Sequence, residues 1–198
     1  MVDSLNDRLI RTALILLDKN PVDRLSIRQV AQDNGVSHQA PYVHFGSKRR
    51  FLAAVAGTGL QQAVDEAISI LTKAGDEPRM RLHAVADAYI SFIRTRPHVH
   101  DLAYGPMVAK ADHPLLQQAA IGYWNLVHDA VARCQPPATS EADILRRCVA
   151  AWGAVYGIAR LSALHQIPTS VPGDHGALLH EALDALYVGW NAAPTSAV

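Results

Sequence analysis

Cysteine is scarce in this sequence, and long hydrophobic runs are missing. The 198 residues include two cysteines, Cys134 and Cys148, too few for a disulfide framework. In a reducing compartment both are expected to be small buried residues. The sequence also lacks an apolar stretch of the ~18 residues that a membrane-spanning helix needs, and its first residues do not resemble a secretion signal. We therefore expect a cytoplasmic protein with no membrane partner.

Charge is balanced overall but is distributed unevenly along the chain. The sequence carries 18 basic and 18 acidic residues, so its formal net charge is zero. Up to residue 58 there are 8 basic and 5 acidic side chains, a charge of +3, and the remainder carries −3. A basic amino-terminal segment on a mildly acidic body is typical of a DNA-binding head joined to a domain that faces solvent or a partner.

Hydrophobic residues recur with the 3.6-residue period of helices, and no convincing strand pattern competes with it. We therefore predict an all-α fold. The first helix is expected to begin near Ser4 and to stop at Asn20, and a second to start at Ser26, which forms an S-x-x-Q capping box with Gln29. Serine, proline and glycine punctuation predicts further helices at about 47–73, 78–95, 98–105, 114–134, 142–166 and 176–191.

Two short helices separated by a tight turn are predicted near the amino terminus. Gly35 follows the second helix, where its freedom at positive φ suits a tight turn, and Ser37 is the expected N-cap of a third helix. A helix, tight turn and helix within ~20 residues is the unit that places a recognition helix in the major groove of DNA. We predict a three-helix DNA-binding domain over residues 1–47 and a helical ligand-binding and dimerisation domain over residues 48–198.

The segment from Ser26 to Lys48 resembles the helix-turn-helix of the TetR (tetracycline repressor) family. The matching parts are Val30-Ala31, Gly35-Val36-Ser37, Tyr42-x-His44-Phe45 and Ser47-Lys48. The resemblance is best over residues 4–60. It implies a transcription regulator, most simply a homodimeric repressor of a pseudo-palindromic operator in double-stranded DNA, relieved by a small-molecule effector. We expect no cofactor and no catalytic activity; the alternative is a DNA-independent helical ligand carrier or enzyme that merely contains a helix-turn-helix.

Side-chain chemistry assigns DNA contacts around the third helix. The Gln39 amide can bond adenine, the Ala40 methyl can touch a thymine methyl, and Lys48 can hold a phosphate. The expected DNA-contacting residues are Ser26, Arg28, Ser37, His38, Gln39, Ala40, Tyr42, His44 and Lys48. Tyr42 and Phe45 could instead belong to the core, His44 could pack against the first helix, and Arg49 and Arg50 are expected to face solvent.

Pro41 departs from the family pattern, because most members have a core leucine there. It removes an N–H where the first hydrogen bonds of the third helix form. We expect a stiffer helix entry and a shift of about one residue in the base-contacting register.

The carboxyl-terminal two thirds contain the aromatic residues that an apolar effector pocket requires, although simple core packing is the alternative for each. The expected ligand-binding residues are Tyr89, Phe92, Tyr104, Tyr123, Trp124, Trp152 and Tyr156. The segment around Trp152 resembles the Trp-x-x-x-His-Gly motif of one TetR subgroup, with Tyr156 in place of the histidine. No metal site is expected, because His98 and His100 are two residues apart and do not share a helix face.

The resemblance also implies that the last two long helices pair with their symmetry mates in a four-helix bundle. Two apolar stripes permit this pairing. They consist of Leu145, Val149, Trp152, Tyr156, Ala159 and Ala163 in one helix, and of Leu179, Leu183, Leu186 and Trp190 in the other. Each helix could instead turn its stripe towards its own core.

Overall fold

The computed structural model describes residues 4–192, which form helices and connections without a β-strand. The predicted all-α fold is confirmed, and most helix ends lie within two or three residues of those that the sequence predicts. The helices are α1 (Leu5–Leu17), α2 (Ile27–Asp33), α3 (Ala40–Phe45), α4 (Lys48–Lys73), α5 (Pro78–Thr95), α6 (Pro97–Tyr104), α7 (Pro114–Arg133), α8 (Glu141–Ala163) and α9 (His175–Asn191). Short 3-10 turns occupy Val22–Arg24 and Lys110–Asp112.

The contacts divide the chain into two compact units. The first contains the residues up to Asp65 together with Phe92–Tyr123, and the second contains Glu66–Ser91 and the residues from Trp124 onward. The helices α4, α5 and α7 each contribute to both units.

In the first unit, α1 begins as the sequence predicts. The Ser4 hydroxyl accepts a hydrogen bond from the Asp7 N–H at 3.2 Å, and the Asp7 carboxylate accepts the Ser4 N–H at 3.3 Å. This reciprocal cap satisfies two N–H groups that the helix itself leaves unpaired. The inward face of α1 buries four apolar side chains, namely Leu9, Ala13, Leu14 and Leu17.

Two glycines let α4 approach its neighbours within the first unit. A Cβ on Gly57 would lie 2.6 Å from the backbone nitrogen of Leu116, and one on Gly59 would lie 2.4 Å from Cγ1 of Val99. Real side chains do not tolerate such short contacts. Glycine at these two positions therefore lets the backbone of α4 pack closely against α6 and the start of α7. The middle of the chain thereby becomes part of the same unit as the amino-terminal helices.

In the second unit, α8 and α9 pack against each other. Leu179, Leu183 and Trp190 of α9 are buried there, as are Cys148 and Val155 of α8. Both Cys134 and Cys148 are free thiols, and burial raises the pKa of each to about 11. The two cysteines are therefore buried small residues, as the sequence indicates.

Candidate nucleic-acid interface and the helical body

The turn between α2 and α3 has the predicted geometry, although its capping box is half formed. The Ser26 hydroxyl accepts the Gln29 N–H at 3.2 Å, but the Gln29 amide donates to Asp33 at 2.5 Å instead of returning to the Ser26 backbone. Gly35 adopts φ +67°, and the Val36 N–H closes the turn on the Ala31 carbonyl at 3.1 Å. The tight turn therefore follows from a glycine that tolerates the left-handed region.

The start of α3 differs from the sequence prediction. Ser37 was expected to cap the helix, but α3 begins at Ala40 after Gln39, and no side chain caps it. A cap at Ser37 would require the first α-helical bond to run from the N–H of residue 41, which Pro41 does not have. The first such bond instead joins the Val43 N–H to the Gln39 carbonyl at 3.0 Å. The predicted capping role of Ser37 is therefore wrong, and the missing N–H of Pro41 accounts for the later start of α3. The expected shift in the base-contacting register stays a prediction.

The predicted DNA-contacting residues remain accessible on the amino-terminal helices. All of them are exposed except Ala40, which is half-buried. The predicted set is Ser26, Arg28, Ser37, His38, Gln39, Ala40, Tyr42, His44 and Lys48. The structure groups Ser37 to His44 on α3 and on the turn before it, with Ser26 and Arg28 at the start of α2 and Lys48 at the start of α4.

The alternatives that the sequence left open divide between surface and core. Tyr42 is 40% exposed and His44 is also exposed, so both lie on the surface. Phe45 is half-buried, and its ring packs edge-on against Phe51 with centroids 5.0 Å apart. This aromatic contact joins α3 to α4.

Three consecutive cations stand at the start of α4. Lys48, Arg49 and Arg50 are all exposed, and the Arg50 N–H donates to the Ser47 hydroxyl at 3.1 Å. Nε of Arg49 donates to Oδ2 of Asp112 at 2.6 Å. The Ala109 N–H and, next, Arg49 hold the pKa of Asp112 below its usual range. Arg49 therefore faces solvent as expected, but it also forms an ion pair that the sequence did not predict.

The predicted effector-binding aromatics are divided between the two units. In the second unit, the rings of Tyr89 and Trp152 lie 4.8 Å apart, Trp124 is half-buried and Tyr156 is 37% exposed. An open groove of about 490 Å³ in this unit is lined by α8, α9 and their connection, and none of these aromatics lines it.

In the first unit, Phe92 and Tyr123 are buried and Tyr104 is half-buried. His100, which sequence reasoning did not select, lies 5.7 Å from the Phe92 ring and stacks on Tyr104 at 4.9 Å. Burial raises the pKa of the Tyr104 phenol far above its ordinary value. Tyr104 is therefore a neutral phenol at physiological pH.

An apolar face of α8 points outward in the described part of the second unit. Leu145 is 41% exposed, Val149 63% and Tyr156 37%, and their spacing puts them on one side of the helix. Trp152 and Ala159 of the same predicted stripe turn inward.

On α9, the predicted dimer stripe is mostly internal. Leu179, Leu183 and Trp190 belong to the core of the second unit, so assigning them to a partner-facing stripe is wrong and the alternative is confirmed. The outward face of α9 instead presents small residues and Val188, which is 67% exposed.

Comparisons with known families cover most of the chain. Residues 9–55 match the model of bacterial regulatory proteins of the tetR family, and residues 82–186 match the model of the tetracyclin repressor-like C-terminal domain. The chain belongs to the TetR family. It is therefore a DNA-binding transcription regulator in type, with an amino-terminal helix-turn-helix and a helical carboxyl-terminal domain. No curated protein sequence matches it.

Solved structures share the TetR-family fold over nearly the full length. A protein of unknown function from Rhodococcus sp. RHA1 is 27% identical, with a TM-score of 0.77 and coverage of 96% of this chain and 97% of its own. A TetR transcriptional regulator from the same organism is 18% identical, with a TM-score of 0.64 and coverage of 90% and 93%. The regulator FadR from Bacillus subtilis, solved with stearoyl-CoA, is 14% identical, with a TM-score of 0.67 and coverage of 92% and 97%.

One further surface residue of this TetR-family helix-turn-helix was not selected from the sequence. Val43 lies on α3, one turn after Gln39, and its side chain is 80% exposed. An apolar side chain so exposed on a recognition helix can contact a thymine methyl in the major groove. The sequence could not assign its face, because that face depends on how α3 packs against α1 and α2.

Within residues 4–192, none of the helices is both long enough and apolar enough to cross a membrane.

Proposed function

We propose that this TetR-family chain is a homodimeric repressor that binds a pseudo-palindromic operator and releases it when a small, mostly apolar molecule binds. The observation that carries the proposal is the accessibility of the front of α3, where His38 and Gln39 are exposed behind a closed turn. We assign the DNA-binding domain to residues 1–47, with one further DNA contact from Lys48, and effector binding and dimerisation to the domain of residues 48–198. The regulator acts in the cytoplasm, where its operator lies.

The proposed DNA contacts follow from the chemistry of the exposed side chains. Gln39 reads an adenine edge, while Ala40 and Val43 contact thymine methyl groups. Arg28 reaches a guanine edge or a phosphate, and Lys48 holds a phosphate beside the positive end of α4. Further contacts to phosphates and groove edges come from Ser26, Ser37, His38, Tyr42 and His44.

A second copy of the chain is the proposed partner of the apolar face on α8. Leu145, Val149 and Tyr156 expose a continuous apolar strip, and the exposed Gly153 lies between them without a neighbouring atom within 4 Å of an added Cβ. Small residues in such a strip allow close helix approach across a twofold axis. The two α3 helices of the dimer would then lie about 34–36 Å apart, one turn of DNA.

The effector is proposed to be mostly apolar because its candidate contacts are aromatic. In the second unit these are Tyr89, Trp124, Trp152 and Tyr156, and Tyr156 can add one hydroxyl hydrogen bond. Phe92, Tyr104 and Tyr123 of the first unit remain predicted contacts. The FadR structure contains stearoyl-CoA, which is consistent with an apolar effector on this fold. A coupling of about 1–3 kcal/mol between effector and operator is typical.

The experiment that tests DNA binding is DNase footprinting with purified protein on the DNA flanking its own gene. We expect a protected inverted repeat whose half-site centres are about 10 bp apart. Lack of protection at low salt would contradict the proposal and favour a helical ligand carrier or enzyme that only contains a helix-turn-helix. Light scattering on the same sample, with an expected dimer mass, tests the homodimer separately.

The effector class is tested by native mass spectrometry of the protein as purified. A co-purified apolar molecule that dissociates the protein from its footprinted DNA supports relief of repression. A ligand that instead strengthens the footprint would show a corepressor mechanism and contradict the proposed direction of regulation.

A further inference from the structure

Arg49 stands directly after the proposed phosphate ligand Lys48 at the start of α4. Its side chain remains 58% exposed although Nε donates to Oδ2 of Asp112 at 2.6 Å. The guanidinium therefore pairs with a carboxylate while it remains open to solvent, and Lys48 is its exposed neighbour in the chain. Consecutive Cα atoms are about 3.8 Å apart, so the long Arg49 side chain can reach a phosphate close to the one that Lys48 binds.

Asp112 is the fixed member of this pair. Its side chain is 21% exposed, and Oδ2 also accepts the Ala109 N–H at 2.5 Å. The Asp112 N–H donates back to the Ala109 carbonyl at 2.9 Å, which closes the short turn Lys110–Asp112. Four residues later, Leu116 meets the backbone of α4 at Gly57. The turn is therefore anchored to α4, and the long Arg49 side chain is the part that can exchange partners.

We propose that Arg49 is an additional DNA-phosphate ligand and that Asp112 competes with the phosphate for it, so that the Arg49–Asp112 pair lowers DNA affinity. The inference rests on the proposed DNA-binding function. A guanidinium matches phosphate and carboxylate equally well in geometry, and an exposed ion pair holds it only weakly.

The location of Asp112 gives this competition a regulatory consequence. The residue belongs to the connection between α6 and α7, whereas Arg49 belongs to α4, which follows the recognition helix. Because the turn is held against α4, Asp112 remains a competitor for the Arg49 guanidinium whenever DNA approaches. The strength of phosphate binding thus depends on a segment outside residues 1–47.

The test measures binding of the full-length protein to a fluorescein-labelled duplex of random sequence, by anisotropy, between about 50 and 200 mM salt. The variants are Asp112→Asn, Arg49→Gln and the double substitution. The amide oxygen of an asparagine can still accept the Ala109 N–H, so the turn is retained. Asp143→Asn is the matched control, because it makes the same change of net charge and also removes an Arg–Asp pair, with Arg146, on α8.

We expect Asp112→Asn to tighten binding roughly tenfold near 0.1 M salt. The slope of the logarithm of the binding constant against the logarithm of the salt concentration should become steeper by about 0.9 for each protomer bound. In the Arg49→Gln background the same substitution should have little effect, and Asp143→Asn should leave binding unchanged. A gain that persists without Arg49, or an Asp112→Asn protein that binds DNA like the wild type, overturns the proposal. A wild-type protein that binds neither this duplex nor the DNA flanking its own gene contradicts the proposed function itself.

Discussion

The imidazole rings of His83 and His180 stack in parallel, with their centroids 4.2 Å apart and their planes 5° apart. His83 lies on α5 and His180 on α9, and each ring bonds a carboxylate of the opposite helix. Nε2 of His83 is 2.8 Å from Asp184, and Nε2 of His180 is 2.8 Å from Asp87. This crossed arrangement connects α5 to α9 within the second unit through groups about 100 residues apart in the sequence.

Replacing Asp184 with asparagine should weaken this connection. Arg79, first, and His83 lower the pKa of Asp184 to about 2. The pKa of this carboxyl group is about 4 in the unfolded chain and lower in the folded protein. The carboxylate therefore stabilises the fold fully above about pH 4, and this stabilisation disappears as the pH falls towards 2. We expect Asp184→Asn to lower the free energy of unfolding by about 1–2 kcal/mol at pH 7.

Urea unfolding at pH 7 and near pH 2 measures this difference. The wild type and the Asp184→Asn protein should differ at pH 7 and converge in acid. Glu181→Gln, an exposed change on the same helix, is the control and should have little effect at either pH. If Asp184→Asn lowers the free energy of unfolding as much near pH 2 as at pH 7, the carboxylate charge is not the source of the effect.

Introducing a charge at Val149 should disrupt the proposed dimer. The side chain is 63% exposed on α8 in the single chain, so Val149→Arg should leave the fold of one protomer intact. In the dimer the same residue would be buried against its symmetry mate, where two unpaired charges cost several kcal/mol. We expect a monomer by light scattering with an unchanged circular dichroism spectrum.

The control for this experiment is Ile121→Arg, which places the same charge on an exposed apolar position of α7. It should remain dimeric. A Val149→Arg protein that stays dimeric would show that the association uses a different surface from the outward strip of α8. Dissociation of the Ile121→Arg protein would place that surface on α7.

Val43 should contribute to base recognition without contributing to stability. It is 80% exposed, so Val43→Ala should leave the melting temperature unchanged. Loss of a thymine methyl contact should weaken operator binding by about 1 kcal/mol. Replacing single operator thymines with uracil removes the same methyl groups from the DNA side. At the contacted base, the two changes together should cost no more than either one alone; additive losses at every thymine would exclude the contact.

The sequence predicts the helices well because their ends depend on local chemistry. Ser4 and Ser26 accept N–H groups three residues away, Gly35 provides the left-handed turn, and prolines begin α5, α6 and α7. Each of these signals acts within four residues, so it can be recognised without knowledge of the tertiary fold.

What the sequence did not predict depends on one missing donor or on distant partners. The absent N–H of Pro41 moves the start of α3 from the expected cap at Ser37 to Ala40, which changes the side chains at the front of the helix. The stripe Leu179, Leu183 and Trp190 suits a partner or the core equally well, and tertiary packing alone places it inside. The Arg49–Asp112 pair joins residues 63 positions apart, which no local pattern indicates.

The central claim is that the exposed front of α3 reads base edges, and binding of the Gln39→Ala protein tests it most directly. Its affinity should be measured for the footprinted operator and for a random duplex, with Lys48→Ala as the comparison. We predict that Gln39→Ala loses about 1–3 kcal/mol on the operator alone, whereas Lys48→Ala weakens both duplexes and flattens the salt dependence. Equal losses on operator and random DNA for Gln39→Ala would contradict the account.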